Sequence, residues 1–114
     1  MAESKLRELS TDFAIKIIRL CGTVKGHYPL VDQLERSAIS IGASIHKANE
    51  AYGKQDFIAQ LQNALRECCE TEYWLELFLR AEILKREAAV DLYVQCGTIR
   101  CILIASINTA GEKR

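Results

Sequence analysis

An all-α, antiparallel up-down-up-down four-helix bundle is the fold this chain predicts, and three observations predict it. Apolar residues recur at steps of three and four along four separate stretches, which is the repeat of one buried helix face. Breaks of only a few residues divide the stretches, so consecutive helices must run antiparallel. Of the 114 residues 49% are hydrophobic, while Pro occurs once and Gly six times, a composition that orders a helix-rich chain. A chain of that length is one domain, 1–114, with a single core. The helices are expected near 5–26, 30–52, 56–81 and 87–110.

In the first helix Leu6, Leu9, Phe13, Ile17, Leu20 and Val24 form the apolar face. Gly26 is expected to stop it, and Pro29 falls near the first turn of the second helix, where a missing N–H costs least. The second helix, QLERSAISIGASIHKANEA, is the one the others are arranged around. Its buried face is Leu34, Ala38, Ile41, Ile45 and Ala48. Beside that face Ser37, Ser40 and Ser44 are small where an exposed stripe would carry Lys and Glu, so a neighbouring helix is expected to approach closely.

Gly53 breaks the chain again, and Asp56 suits the positive end of the third helix. Ile58, Leu61, Leu65, Cys68, Leu75 and Leu79 are its expected seam, interrupted by Glu72, and Arg36 is expected to pair with one of its carboxylates. Tyr73, Trp74 and Phe78 point away from that seam and read as core or subunit-interface packing, with stacking on bases the sharper alternative; together with Leu77 they are expected on a subunit contact. In the fourth helix Leu92, Cys96, Ile99, Leu103 and Ile107 form a seam, yet Val94, Cys101, Ile104 and Ala105 extend the apolar surface almost around the cylinder. One core cannot bury all of it, so these four are also expected to face another subunit. Gly97 is expected to mark a kink or a close approach, and GEKR a charged, frayed tail.

Charge and chemistry exclude several classes. Fifteen basic and fifteen acidic residues leave a formal net charge of +0, so no global field draws the chain to phosphate backbones. Only a local cluster, Lys25, His27, Arg80, Lys85 and Arg86, gathers at one end of an up-down bundle, opposed by Glu82 and Glu87; nucleic acid is expected to bind there weakly or not at all. The five cysteines, at 21, 68, 69, 96 and 101, lack zinc-type spacing and read as reduced thiols in a cytoplasm. Neither His27 nor His46 follows a Glu at the spacing of a di-iron site. No phosphate loop or nucleophile elbow surrounds the Ser, Cys and His residues, so neither catalysis nor a cofactor nor a small-molecule substrate is expected. The N-terminus has no signal-peptide run, and the longest apolar run, 101–105, is far short of a membrane span.

Three segments, QLERSAISIGASI, KQDFIAQL and ALRECCETEYWLELF, within the run 28–84, make about half the chain resemble the bacterial four-helix-bundle proteins known as 23S rRNA intervening-sequence proteins. Family members often carry Asn where this chain has Ser44 and Glu where it has Lys47. The resemblance implies a bundle that assembles as a ring of five. It also implies kinship with the accessory protein of diversity-generating retroelements, which binds nucleic acid and a reverse transcriptase and is much more basic than this chain. It further implies a non-enzymatic role with a protein or ribonucleoprotein partner.

Overall fold

The computed structural model describes residues 2–112, and among them there are four helices and no strand: α1 (Ala2–Cys21), α2 (Tyr28–Asn49), α3 (Lys54–Arg80) and α4 (Arg86–Glu112). Of the expected GEKR tail, Gly111 and Glu112 continue α4, and residues 113 and 114 lie outside the described residues. A helix of 27 residues rising 1.5 Å each spans about 40 Å, which accounts for an outline of 49 × 20 × 19 Å. Around the bundle α1 packs on α2, α2 on α3, α3 on α4 and α4 back on α1, with the α2–α3 contact the most extensive and α1–α4 the least. The helices therefore sit in a square in chain order.

α1 stops at Cys21, short of the expected boundary near 26. The Thr23 hydroxyl donates to the Leu20 carbonyl at 2.6 Å, and the Thr23 and Val24 amides bond three residues back, to Leu20 and Cys21. Those tightened turns end the helix before Gly26 is reached. Gly26 (φ 82) and His27 (φ 55) then turn the chain through the left-handed region into α2. α3 ends in a Schellman motif: the Ile83 amide bonds the Phe78 carbonyl at 2.9 Å and the Glu82 amide bonds that of Leu79 at 3.1 Å. The left-handed position of that motif, usually glycine, is held by Glu82 at φ 60. At the start of α3 the Asp56 carboxylate accepts from the Tyr52 amide at 3.3 Å, and a negative charge in the first turn offsets the helix dipole.

All five expected face residues of α2 are buried, and Ser37 and Ser44 are buried beside them. Ser37 and Thr71 of α3 form a polar pair in the interior, Oγ to Oγ1 at 2.9 Å, with further bonds to the Leu34 carbonyl at 3.2 Å and the Glu67 carbonyl at 2.7 Å. Every lone hydroxyl there finds a partner, so burial costs little. On the other side, a Cβ added at Gly42 would lie 3.6 Å from the Ser10 hydroxyl oxygen, so small residues set the α1–α2 approach as well.

The α3 seam differs from the expected one. Leu61, Ala64, Cys68, Thr71, Leu75 and Phe78 are buried, a strict alternation of three and four, while Leu65 and Leu79 are partly buried at its edge. Thr71 rather than Glu72 completes the stripe, because a methyl and a bonded hydroxyl fit where a carboxylate would not. Phe78, expected on a subunit contact, is fully buried and belongs to the monomer core. α4 runs unbroken through Gly97; the missing side chain leaves room for Arg100 and Glu72, which lie 3.7 and 3.9 Å from where a Cβ would be.

Candidate interaction surfaces

Two surfaces stand apart from an ordinary solvated bundle. The first is the outer face of α4. Ala89, Leu92, Cys96, Ile99 and Leu103 point inward. Val90, Val94, Cys101, Ile104 and Ala105 are exposed, and their spacing places them on the opposite face. Val94 is 61% exposed and Ile104 39%. Arg100 is the single charged residue between Asp91 and Glu112, and its Nε is bound to Glu72 Oε2 at 3.0 Å. That bond and the facing carboxylate hold the guanidinium proton more firmly than usual. The outer face thus has no free charge to keep it in water. α4 is long and apolar enough to cross a membrane by length and composition; its inward seam is nonetheless part of the bundle core.

Cys101 and Ala105 also form one wall of a groove of about 850 Å³ at the end of the bundle where α2 meets α3, closed on the far side by Ala48, Ala51 and Phe57. Ile15 and Ile18 on α1 and Ile39 on α2 are exposed as well. Total accessible surface is 7076 Å², against about 6,300 Å² for a folded monomer of this mass. The elongated outline accounts for the difference.

The expected contact on α3 is smaller than the sequence implied. Tyr73 is exposed, Leu77 is half-buried, and Trp74 packs against the core. The Trp74 indole N–H donates to Glu70 at 3.0 Å, and its ring meets Tyr73 edge-on at 5.1 Å. Arg36, as expected, pairs with α3 carboxylates: Glu70 directly and Glu67 at 3.8 Å. The Glu67 oxygen nearest Arg36 is buried without a hydrogen bond, so that cation is its compensation. The indole N–H is thus engaged by Glu70 and one side of the ring by Tyr73.

The second surface is the end of the bundle where the α1–α2 and α3–α4 connections meet. There Lys25, His27, Lys85 and Glu82 line a hollow of about 710 Å³ over a floor of Leu20, Val24, Ile83 and Leu84. The structure brings together three of the five expected basic residues. Arg80 instead borders a separate hollow with Tyr73 and Leu77 and pairs with Glu76 at 3.4 Å, and Arg86 is exposed at the start of α4 outside both. Sequence reasoning missed the part played by the two left-handed residues, His27 and Glu82, which bring the connections into position.

The cysteines are all free. Cys96 donates to the Cys68 carbonyl at 3.6 Å, and that neighbour together with burial pushes the Cys68 thiol far up. Burial, then the Glu35 carboxylate, pushes Cys21 up to about 12. These thiols are inert core groups. Among the described residues no group of three or more His, Cys, Asp or Glu side chains is placed to hold a metal ion.

The four helices form an all-α bundle. The chain belongs to the 23S rRNA-intervening sequence protein family, whose model matches residues 2–105. A crystal structure of a protein of unknown function from the S23 ribosomal protein family of Bacteroides thetaiotaomicron is similar over 95% of this chain and 99% of its own, with 35% sequence identity and a TM-score of 0.89. No curated protein matches the chain.

Proposed function

We propose that this protein is a non-enzymatic, cytoplasmic, homo-oligomeric interaction protein, held together by the outer face of α4 and presenting the assembled bundle to a protein or ribonucleoprotein partner. The observation that carries the reading is the uncharged stripe Val90, Val94, Cys101, Ile104 and Ala105 on a helix whose only mid-helix charge is already paired. Contiguous exposed apolar surface of this kind marks interaction sites more often than solvated surface. Covering it contributes about 25 cal/mol per Å² before the costs of association. The ring of five is the count the family resemblance implies. Multi-angle light scattering tests this: a mass several times 12.8 kDa, unchanged by salt, is expected, and a stable monomer at micromolar concentration refutes it.

The second reading is a nucleic-acid-binding accessory protein, favoured by the two lysines and one histidine that line the hollow at the loop end. Zero net charge makes such binding weak and steeply dependent on salt. A tight complex with one defined RNA that persists at high salt would put this reading first.

A further inference from the structure

We infer that Cys68 and Cys96 are a disulfide-forming pair, a site at which two-electron oxidation locks α3 to α4 through the core, which goes beyond the assembly reading and does not depend on it. Both residues are fully buried, and each belongs to the inward seam of its helix. They face one another. The Cys96 thiol donates to the Cys68 carbonyl across the seam at 3.6 Å, and the two side chains share a hydrogen bond that holds the Cys68 proton. Small residues, Ala64 on α3 with Ala89 and Gly97 on α4, let the two helices approach closely. Packed helix axes lie about 8–10 Å apart, with Cα atoms about 2.3 Å from each axis, so facing Cα atoms come within roughly 3.4–5.4 Å at the line of contact. That range overlaps the ~4.4–6.8 Å a disulfide spans between Cα atoms.

Of the pairs that five cysteines allow, the fold selects this one. Among the described residues α1 packs on α2 and α4 but not on α3, so Cys21 does not reach Cys68. Cys21 ends α1 level with the start of α4, since Leu20 and Ala88 line one hollow. Cys96 lies about 15 Å further along the bundle, at 1.5 Å for each residue after Arg86. Cys69 is turned about 100° from Cys68 around the helix axis and is exposed, as is Cys101 on the outer face of α4.

Burial sets the rate of the reaction, and proximity sets its equilibrium. With the seam closed, no oxidant reaches the sulfurs, and the shared proton and burial oppose the thiolate that exchange requires. When the seam opens, as it does during refolding, a low-molecular-weight disulfide such as oxidised glutathione can react. One cysteine thiolate attacks it, forming a mixed disulfide and releasing one small thiol. The other cysteine, as its thiolate, displaces the second small thiol and forms the Sγ–Sγ bond. Two cysteine thiols are oxidised, one small disulfide is reduced, and the two protons end on the small thiols released. The native seam favours this bond by holding the sulfurs together, and burial then shields it from reductants.

Refolding the full chain from urea into a buffer of oxidised and reduced glutathione, then alkylating free thiols and mapping peptides by mass spectrometry, tests the site. The Cys69→Ser, Cys101→Ser variant is carried in parallel, because it removes the thiol next to Cys68 and any link made through the exposed cysteines. In both proteins a single link joining Cys68 to Cys96 is expected. It should raise the folding constant at least about tenfold over the reduced form, because it constrains the unfolded chain. Cys96→Ala should lose both the link and that gain, and the same oxidant should act more slowly on folded protein than during refolding. If Cys96→Ala does not fold, the peptide map of the unaltered chain decides alone. Equilibrium refolding that leaves Cys68 and Cys96 free, links either of them to Cys21, or yields an oxidised form less stable than the reduced one would overturn the proposal.

Discussion

Replacing the buried hydroxyls of Ser37 and Thr71 tests how α2 is held to α3. Both residues are fully buried, and the two oxygens lie 2.9 Å apart, with the Glu67 carbonyl 2.7 Å from Thr71 and the Leu34 carbonyl 3.2 Å from Ser37. Two protons serve this chain, so one hydroxyl donates to the other and the remaining proton goes to a carbonyl. Thr71→Val keeps the shape and removes one link, at a cost of about 1 kcal/mol. Ser37→Ala removes the same link, but alanine is the better helix former, so its net cost is about 0.5 kcal/mol. In the double variant the shared bond is lost only once and no polar group is left stranded. Its cost should match that of Thr71→Val alone, giving a coupling of about 0.5 kcal/mol. Urea unfolding at one fixed protein concentration measures all four corners. Costs that simply add, within ~0.3 kcal/mol, would show that the two hydroxyls are independent and that the serine stripe is not a joint.

Phe78→Ala should cost about 3–5 kcal/mol as a core truncation, whereas Leu77→Ala, half-buried beside it, should cost much less; equal losses would return Phe78 to the surface. Glu82→Gly should stabilise the protein by about 1 kcal/mol, because glycine adopts the left-handed cap position without the Cβ penalty; a lower melting temperature would contradict the strain at φ 60. With iodoacetamide at about pH 8, Cys69 should be labelled readily and Cys21, Cys68 and Cys96 should resist, whereas Cys101 should be protected only in the assembled protein. Cys21 is also a stability sensor: its neutral form is favoured by the fold, so its contribution is complete below the ordinary value of 9.0 and is lost as pH rises towards about 12. A thermal melting series should therefore show a decline in that alkaline window that Cys21→Ala lessens.

The four helices and the buried face of α2 were legible because period and breakers agree there: every expected face residue from Leu34 to Ala48 is buried. α3 was harder to read. Leucines at 65 and 79 drew the seam toward themselves, and only the tertiary partner Ser37 explains why Thr71 lies inside. Phe78 was misplaced for the same reason, since aromatic residues satisfy a core and an interface equally well in sequence. The early end of α1 depends on a Thr23 hydroxyl bonding the backbone, a local competition that apolar spacing does not register. On α4 the surplus of apolar residues was readable directly, because its amount exceeds what one seam can hold. The basic cluster was only partly legible: the connections bring Lys25, His27 and Lys85 to one hollow, while Arg80 is taken by Glu76 along its own helix.

Sedimentation velocity of the Val94→Lys, Ile104→Lys double variant beside the unaltered chain tests the central claim most directly. Both side chains are exposed on the isolated bundle, so the lysines disturb no core contact, and the helical signal should survive. Placed on a face that another subunit covers, they would bury two unpaired charges per contact, which association cannot compensate. The account predicts a multimer for the unaltered chain and a folded species of about 12.8 kDa for the variant. A variant that sediments with the unaltered multimer would show that the outer face of α4 is not the joint.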